Sequence, residues 1–480
     1  MRSNPIKNLI IILICYFLQT AYSNNSINYV TEDPWTIIES NERTASVFLD
    51  KEKFQNFLEK TIHINKRLPS TLAIQLPLYN GGKKAFKVYQ TSIMHPNLAA
   101  RYPNIRSYIG IGVENPFDRA SIVLYDNIII GMMITESGES FFKSFDIYAD
   151  NNIFQIEKGV KEEIEFNCNI KESSHTLTRD VTNFPDCIGV DDPCNPVGNE
   201  LVTYRFAGIV TEDVNNTQAD STVAGGLTWL VGMINQANLI TIRDFGFQLQ
   251  IINNNDFIIF TNENPGPVEF KQDCGDLWST IGCELSEVET VLDSLIGPGG
   301  WNAEDAVRVW DYGALFDEGY PGGLAYCPGA TSANLPSFYI FIHETGHNFG
   351  SPHNSVTENG IRSSIGGSIM HWSLNNTGAM FSTHSIEWAM NYRNTLGPYG
   401  NSDYISGYET EQTNNIIPDV VVQESGLIIP KETPFMLEGY SSPMYSDYTF
   451  NWESNESSEM QYWTDSNTPE LPYFPPNQGS

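Results

Sequence analysis

Basic residues are scarce in this chain of 480 residues: 26 Lys and Arg stand against 58 Asp and Glu, a formal net charge of −32. Such an acidic surface repels phosphates, which argues against nucleic acid or an anionic membrane as partner. Solubility is the plain use of that charge. Calcium-binding loops are the sharper use, and Ca2+ is kept as a second ion beside the one argued below, although no EF-hand spacing occurs. After Leu18 no segment is long and apolar enough to cross a bilayer, so no membrane anchor is expected. No internal repeat is visible. Cysteine is sparse, with seven in the chain, and no Cys-x-x-Cys pair offers a structural zinc site.

What is present divides the chain. Residues 1–23 read as a secretory signal: Arg2 and Lys7 precede the apolar run Leu9–Leu18, and Ala21 and Ser23 are the small residues of a cleavage site. Cys15 falls in that run, which leaves Cys168, Cys187, Cys194, Cys274, Cys283 and Cys327. An even number in an exported chain favours disulfides, with fifteen pairings open. Residues 24–197 form a first, β-rich block. It carries strand-like stretches such as Thr71–Leu78 and Ser121–Met132 and no catalytic cluster. His63, His95 and His175 are scattered through it and read as surface or satisfied histidines.

Residues 198–400 alternate strands and helices, an α/β or α+β layer pattern. Tyr204–Val210 reads as a buried strand, and Val223, Leu227, Leu230, Val231 and Ile234 recur at helical spacing. Phe247, Leu249 and Ile251 alternate with Gln248 and Gln250 as in a half-buried strand, and Val307–Trp310 reads as a further short strand. Ser337–Phe349 is expected to be a helix, with Asn334 and Pro336 as start signals and Gly350 as its stop. Residues 401–480 hold 13 acids and one base, Lys431. They read either as an acidic tail or as a partial β-module with strands near Val420–Val422, Phe435–Leu437 and Tyr448–Trp452. Lacking His and Cys, this part is expected to be dispensable for chemistry, with truncation after about residue 410 tolerated.

The informative stretch runs His343-Glu344-Thr345-Gly346-His347-Asn348-Phe349-Gly350-Ser351-Pro352-His353. Histidines at i and i+4 share one helical face and can reach one ion together. Zinc suits imidazole ligands and a site that keeps one position open for water. Glu344 need not be a ligand and is placed to act on that water. The third histidine, His353, must arrive from another direction, so the helix has to end sharply. Gly350 can take the positive φ such an end requires, and Ser351-Pro352 cannot continue the helix. Five residues specified at fixed offsets arise by chance in about one chain of this length in ten thousand, at roughly one in twenty per position.

His-Glu-x-x-His-x-x-Gly-x-x-His followed by a methionine turn resembles the metzincin metallopeptidases. Gly366-Gly367-Ser368-Ile369-Met370 follows at a suitable interval, which makes Met370 the expected methionine beneath the metal. Gly346-His347-Asn348 and Phe381-Ser382-Thr383-His384-Ser385 are similar to the reprolysin-like (adamalysin) group. His384 departs from that group's cysteine, Asn354 from its Asp, and Trp372 from the tyrosine of serralysins and astacins. Outside about 200–390 the resemblance thins. Ile74–Gly112 resembles a microbial propeptide, and Thr433–Leu437 with Tyr448–Glu453 resembles the start of a β-sandwich.

The resemblance implies a catalytic domain with a mixed sheet and an active-site helix, preceded by a propeptide that confers latency. Cleavage is expected near 176–200, where Arg179 and Asp191-Asp192-Pro193 stand. Cys168 or Cys187 is able to cap the metal as a thiolate, although ordinary disulfides fit an exported chain better. The expected enzyme is a secreted, monomeric zinc endopeptidase. Zn2+ is held by His343, His347 and His353, Glu344 is the general base, and a protein or peptide lies extended along an edge strand. The alternatives are a binding protein with a decayed protease fold, against which the intact Glu344 speaks, and a zinc hydrolase acting on a non-peptide amide.

Overall fold

The structure is a computed structural model. It describes residues 30–64, 72–115, 118–126, 128–143, 152–159, 171–172, 200–267, 277–300, 307–319, 322–353, 368–371, 379–394, 409–413, 419–422, 439–442, 451–452 and 463–464. The expected signal, His175, the cleavage region 176–199, Cys168, Cys187, Cys194, Cys274, Asn354, Trp372 and Phe435–Leu437 lie outside the described residues.

The first block is a ten-stranded sheet of β1 (Val30–Glu32), β2 (Trp35–Ser40), β3 (Thr44–Leu49), β4 (Leu72–Pro77), β5 (Lys83–Thr91), β6 (Arg106–Gly112), β7 (Arg119–Tyr125), β8 (Ile128–Thr135), β9 (Gly138–Lys143) and β10 (Ile153–Lys158). From β4 to β10 it is an antiparallel meander. β1 joins β4 in parallel, and the β2–β3 hairpin returns to pair with β10. Helix α1 (Lys51–Leu58) begins where the Asp50 side chain accepts from the Lys53 N–H, and it buries Phe54, Phe57 and Leu58. Trp35, Phe54, Phe142 and Phe154 form its ring cluster, with centroids 5.4–6.1 Å from Trp35.

The stretch Ser121–Met132 is not one strand but parts of β7 and β8, with Asp126 at φ +49 in the turn between them. The sheet is buried on both faces. Ile122, Ile129 and Met133 point into the block's own core, whereas Val123 and Met132 point into the core of the second layer. Apolar residues therefore run on without the alternation that would have marked two strands.

The second layer contains β11 (Lys171–Glu172), β12 (Glu200–Val210), β13 (Phe247–Ile251), β14 (Tyr312–Phe316), β15 (Gly323–Cys327), β16 (Thr331–Asn334) and β17 (Glu409–Gln412). The order is β11-β15-β16-β14-β12-β13. β12, β13, β14 and β16 are parallel, and β15 is antiparallel to β16. β17 pairs antiparallel with the start of β12, so this sheet reaches past the boundary expected at 400. The expected strand Val307–Trp310 is absent. Val307 is 88% exposed, and Trp310 makes only an isolated bridge to Gly299 before β14 begins.

Helices α2 (Pro96–Arg101), α3 (Glu212–Gln218), α4 (Val223–Phe245), α5 (Leu277–Ile296), α6 (Phe338–Asn348) and α7 (Thr383–Asn394) complete the main body. Gly208 faces Leu230 of α4 and Phe206 faces Phe341 of α6, while Gly313 faces Leu292 of α5. Hence α4 and α6 share one face of the second sheet and α5 covers the other. Beneath α6 the Phe349 ring stacks on Phe247 at 4.1 Å and on Tyr312 at 4.6 Å. Full burial of such a ring is worth about 1.5–3 kcal/mol. The C-terminal part shows two short pairings, β18 (Asp419–Val422) with β19 (Gly439–Ser442) and β20 (Asn451–Trp452) with β21 (Trp463–Thr464).

Candidate metal centre

Helix α6 carries His343, Glu344 and His347, all fully buried. It starts after Ser337, and Asn334, expected as a start signal, instead ends β16. It stops as the sequence requires. Gly350 has φ +82, its N–H donates to the His347 carbonyl at 2.8 Å, and the Ser351 N–H donates to the Gly346 carbonyl at 3.0 Å. This pair of bonds is a Schellman motif, and it turns the chain back toward the helix. His353 comes round to bring its Nε2 within 3.1 Å of His343 Nε2 and 3.0 Å of His347 Nε2.

The other ring nitrogens are already occupied. His343 Nδ1 donates to the Ile369 carbonyl at 2.7 Å, and His347 Nδ1 donates to the Ser351 carbonyl at 2.8 Å. An Nδ1–H in each ring leaves a bare Nε2 lone pair pointing at the common centre. One proton on His353 can bridge to only one of them, so the three converging Nε2 atoms cannot all be paired with one another. A cation removes that conflict. Four-coordinate zinc with bonds of about 2.0–2.1 Å sets its nitrogens roughly 3.3 Å apart, near the spacing found. Burial, then repulsion from His353, holds His343 and His347 well below the usual histidine range. Burial, then the nearby His371, lowers His353 to about 4. All three are thus neutral at neutral pH, the form in which imidazole can bind a metal. Among the described residues this is the one group of three or more His, Cys, Asp or Glu that converges tightly enough to hold a metal.

Two glycines owe their identity to this centre. A methyl group on Gly346 would overlap the Met370 sulfur and come within 2.8 Å of Phe381 Cε1. Met370, fully buried, therefore lies directly against the helix between its two histidines. On the opposite side a methyl group on Gly323 would lie 2.5 Å from Glu344 Oε1. Glu344 is thereby pressed against the backbone of β15, the strand antiparallel to β16.

Several contributors to the centre are only weakly marked in the sequence. The acceptors that orient His343 and His347 are backbone carbonyls of Ile369 and Ser351, which residue identity does not reveal. Asn348 stands out in the sequence only through the Gly346-His347-Asn348 resemblance. Its side chain donates to the carbonyls of Thr331 at 2.9 Å and Tyr326 at 3.2 Å, pinning the last turn of α6 to β15 and β16. Ser351 is fully buried, and its hydroxyl donates to the Ser385 carbonyl. Asp244 accepts from the Phe381 N–H at 2.9 Å, fixing the ring that touches Gly346. Elsewhere, His63 bonds Ser92 and His95 caps α2, so neither joins the centre.

No protein-family model matches the chain, and no curated protein matches it. Eighteen chains of solved structures match. Among them is the metalloproteinase-II of Bacteroides fragilis, 12% identical, covering 68% of this chain and 92% of its own, with a TM-score of 0.38.

Proposed function

We propose that the chain is a zinc-dependent endopeptidase of metzincin type, secreted as a latent precursor, in which His343, His347 and His353 hold the metal and Glu344 is the general base. The observation that carries this reading is the convergence of three neutral Nε2 atoms on one buried point, two of them oriented by carbonyls, beside a buried glutamate that is not one of the three. When bound, zinc lowers the pKa of a water and polarises a carbonyl. The Glu344 carboxylate takes a proton from water and returns it to the leaving amine. Asn348 and Gly323 hold the helix and that carboxylate in place.

The edge of β15 fits an extended peptide. Its Gly323–Ala325 stretch runs past Glu344, and among the described residues only Tyr326 and Cys327 have a strand on the outer side, the short β11. Backbone pairing along that edge supports a protein or peptide substrate. β11 belongs to the segment joining the two layers, and its place on this edge supports latency before cleavage. Secretion is supported by the sequence of residues 1–23.

Glu344→Gln and His347→Ala test the assignment together. Gln keeps the size of Glu but cannot accept a proton at neutral pH, so casein digestion should cease while one zinc per chain remains. His347→Ala deletes a ligand, so zinc itself should be lost. Substantial digestion by Glu344→Gln would refute the mechanism.

A further inference from the structure

Helix α4 is buried without a break from Gly225 to Thr241. A helix covered all round must be enclosed by two partners. One is the second sheet; the other is the first block. Val123 and Met132 of that block, with Ile93, Met94, Leu98 and Ile105, belong to the same core cluster as α4 and the second sheet. The approach is close, since a methyl group on Gly232 would lie 2.6 Å from Ile130 Cγ2. The buried Asn235 amide donates to the carbonyls of Tyr108 at 3.0 Å and Ile122 at 3.4 Å, both in the first block.

Contacts continue around the rim. The His95 N–H donates to the Ile251 carbonyl and the Ile251 N–H to the Ile93 carbonyl, each at 2.8 Å, so the first block lends the second sheet an edge segment beside β13. Arg101 grips Asp256 with two bonds of 3.0 and 2.9 Å. Two further contacts reach the metal centre. Phe141 packs on Phe338 and Tyr339 at the start of α6, with centroids 5.9 and 6.0 Å apart. Glu139 Oε1 accepts from the Ala379 N–H at 2.9 Å, two residues before the Phe381 ring that lies against Gly346.

We infer that residues 30–158 stay bound to residues 200–413 when the chain between them is cut, serving as a permanent scaffold for the metal centre rather than a segment that is shed. Latency and scaffolding then belong to different parts of the precursor. Cutting frees the joining segment that includes β11, while the sheet holding α4 and α6 stays in place. A departing first block would strip one side of α4, leave the Asn235 amide without its acceptors and uncover an edge of β13.

The test uses the full chain with the recognition sequence of a specific protease placed between residues 173 and 199. After complete cutting, the two fragments should co-elute from a sizing column at the size of the uncut chain and retain one zinc. Elution of a soluble zinc-bearing fragment starting near residue 200, free of the first, would overturn the inference. Gly232→Leu, which wedges the interface, should raise the dissociation constant of the cut fragments at least tenfold. Should that variant yield no soluble protein, Arg101→Ala at the half-exposed rim replaces it, with the same direction expected. A dissociation constant unchanged in the soluble variant would show that this interface does not hold the fragments together and would equally overturn it. The inference leans on the proposed peptidase only for its meaning, since co-elution and zinc content are read without any activity assay. A Glu344 result that sinks the peptidase leaves these outcomes unchanged.

Discussion

Replacing Gly346 by alanine adds one methyl group at the most crowded point of α6. That methyl would overlap the Met370 sulfur, with Phe381 Cε1 2.8 Å away and the Met370 methyl at 3.3 Å. Neither neighbour can yield easily. Met370 is fully buried, the Phe381 ring lies tilted against Phe245 with centroids 4.2 Å apart, and the Phe381 backbone N–H is held by Asp244. Overpacking of this kind costs about 1–3 kcal/mol, while alanine regains about 0.5–1 kcal/mol of helix propensity. The net loss should be about 1–2 kcal/mol, or roughly 3–6 °C in Tm for a unit of this size. The effect on the metal should be larger in proportion. Displacing Met370 drags the neighbouring Ile369 carbonyl, which orients His343 through the 2.7 Å bond to Nδ1. Losing such an orienting bond weakens metal binding about 10–100-fold. Zinc titration of metal-stripped protein against a chromogenic chelator reads the affinity, and a thermal melt reads the stability. Met370→Ala in the same chain makes room for the methyl, so the two substitutions together should cost less than their sum. Wild-type affinity and stability in Gly346→Ala, or strict additivity in the double variant, would refute the packing argument.

Gly323→Ala should act on the base rather than the metal: its methyl displaces Glu344 Oε1, so kcat should fall at least tenfold with zinc content unchanged. In metal-stripped protein the three site histidines are neutral when folded, His353 down to about pH 4, whereas unfolded histidines take up protons from about pH 6.5. The unfolded chain then binds more protons, so stability rises with pH and drains away as pH falls from about 6.5 toward 4; urea titrations at pH 7 and 5 should show the lower midpoint at pH 5. Truncation after Thr413 should leave small-peptide cleavage unchanged. Ending the chain before Glu409 removes the β17 pairing with β12 and should lower stability by about 1–3 kcal/mol in a melt, since a few backbone hydrogen bonds are lost.

The convergence of His343, His347 and His353 was legible because its geometry is local. Helical spacing brings His343 and His347 together, and the positive φ demanded of Gly350 is found. The strand Phe247–Ile251 was legible because one face is half-exposed and its glutamines alternate with apolar residues. The β7–β8 hairpin was not, because both faces of the sheet are covered and polarity no longer marks the strand ends. β17 was missed for the opposite reason: Glu409–Gln412 is wholly exposed, so its pairing with β12 leaves no hydrophobic trace. The expected truncation point near 410 falls inside this strand. The contacts between the two layers were hidden as well, since a helix apolar on every side reads the same whether one sheet or two enclose it. The Ile369 and Ser351 carbonyls depend on tertiary approach, which no spacing rule encodes.

The return of the β2–β3 hairpin to β10 has a consequence for the order of events during synthesis. Thr44 pairs with Glu157 and Phe48 with Ile153, so the first sheet cannot complete its far edge until the end of the block has left the ribosome. At roughly 5–20 residues per second, that hairpin waits several seconds for its neighbour. α4, by contrast, emerges after β6, β7 and β8 already exist as local meander strands. The late-made helix thus meets a ready template on one side before β13 and β14 are available on the other. The histidines of α6 come later still, so the candidate metal-binding point forms only after strands β1 to β16 have been made, beside a block that carries no chemistry.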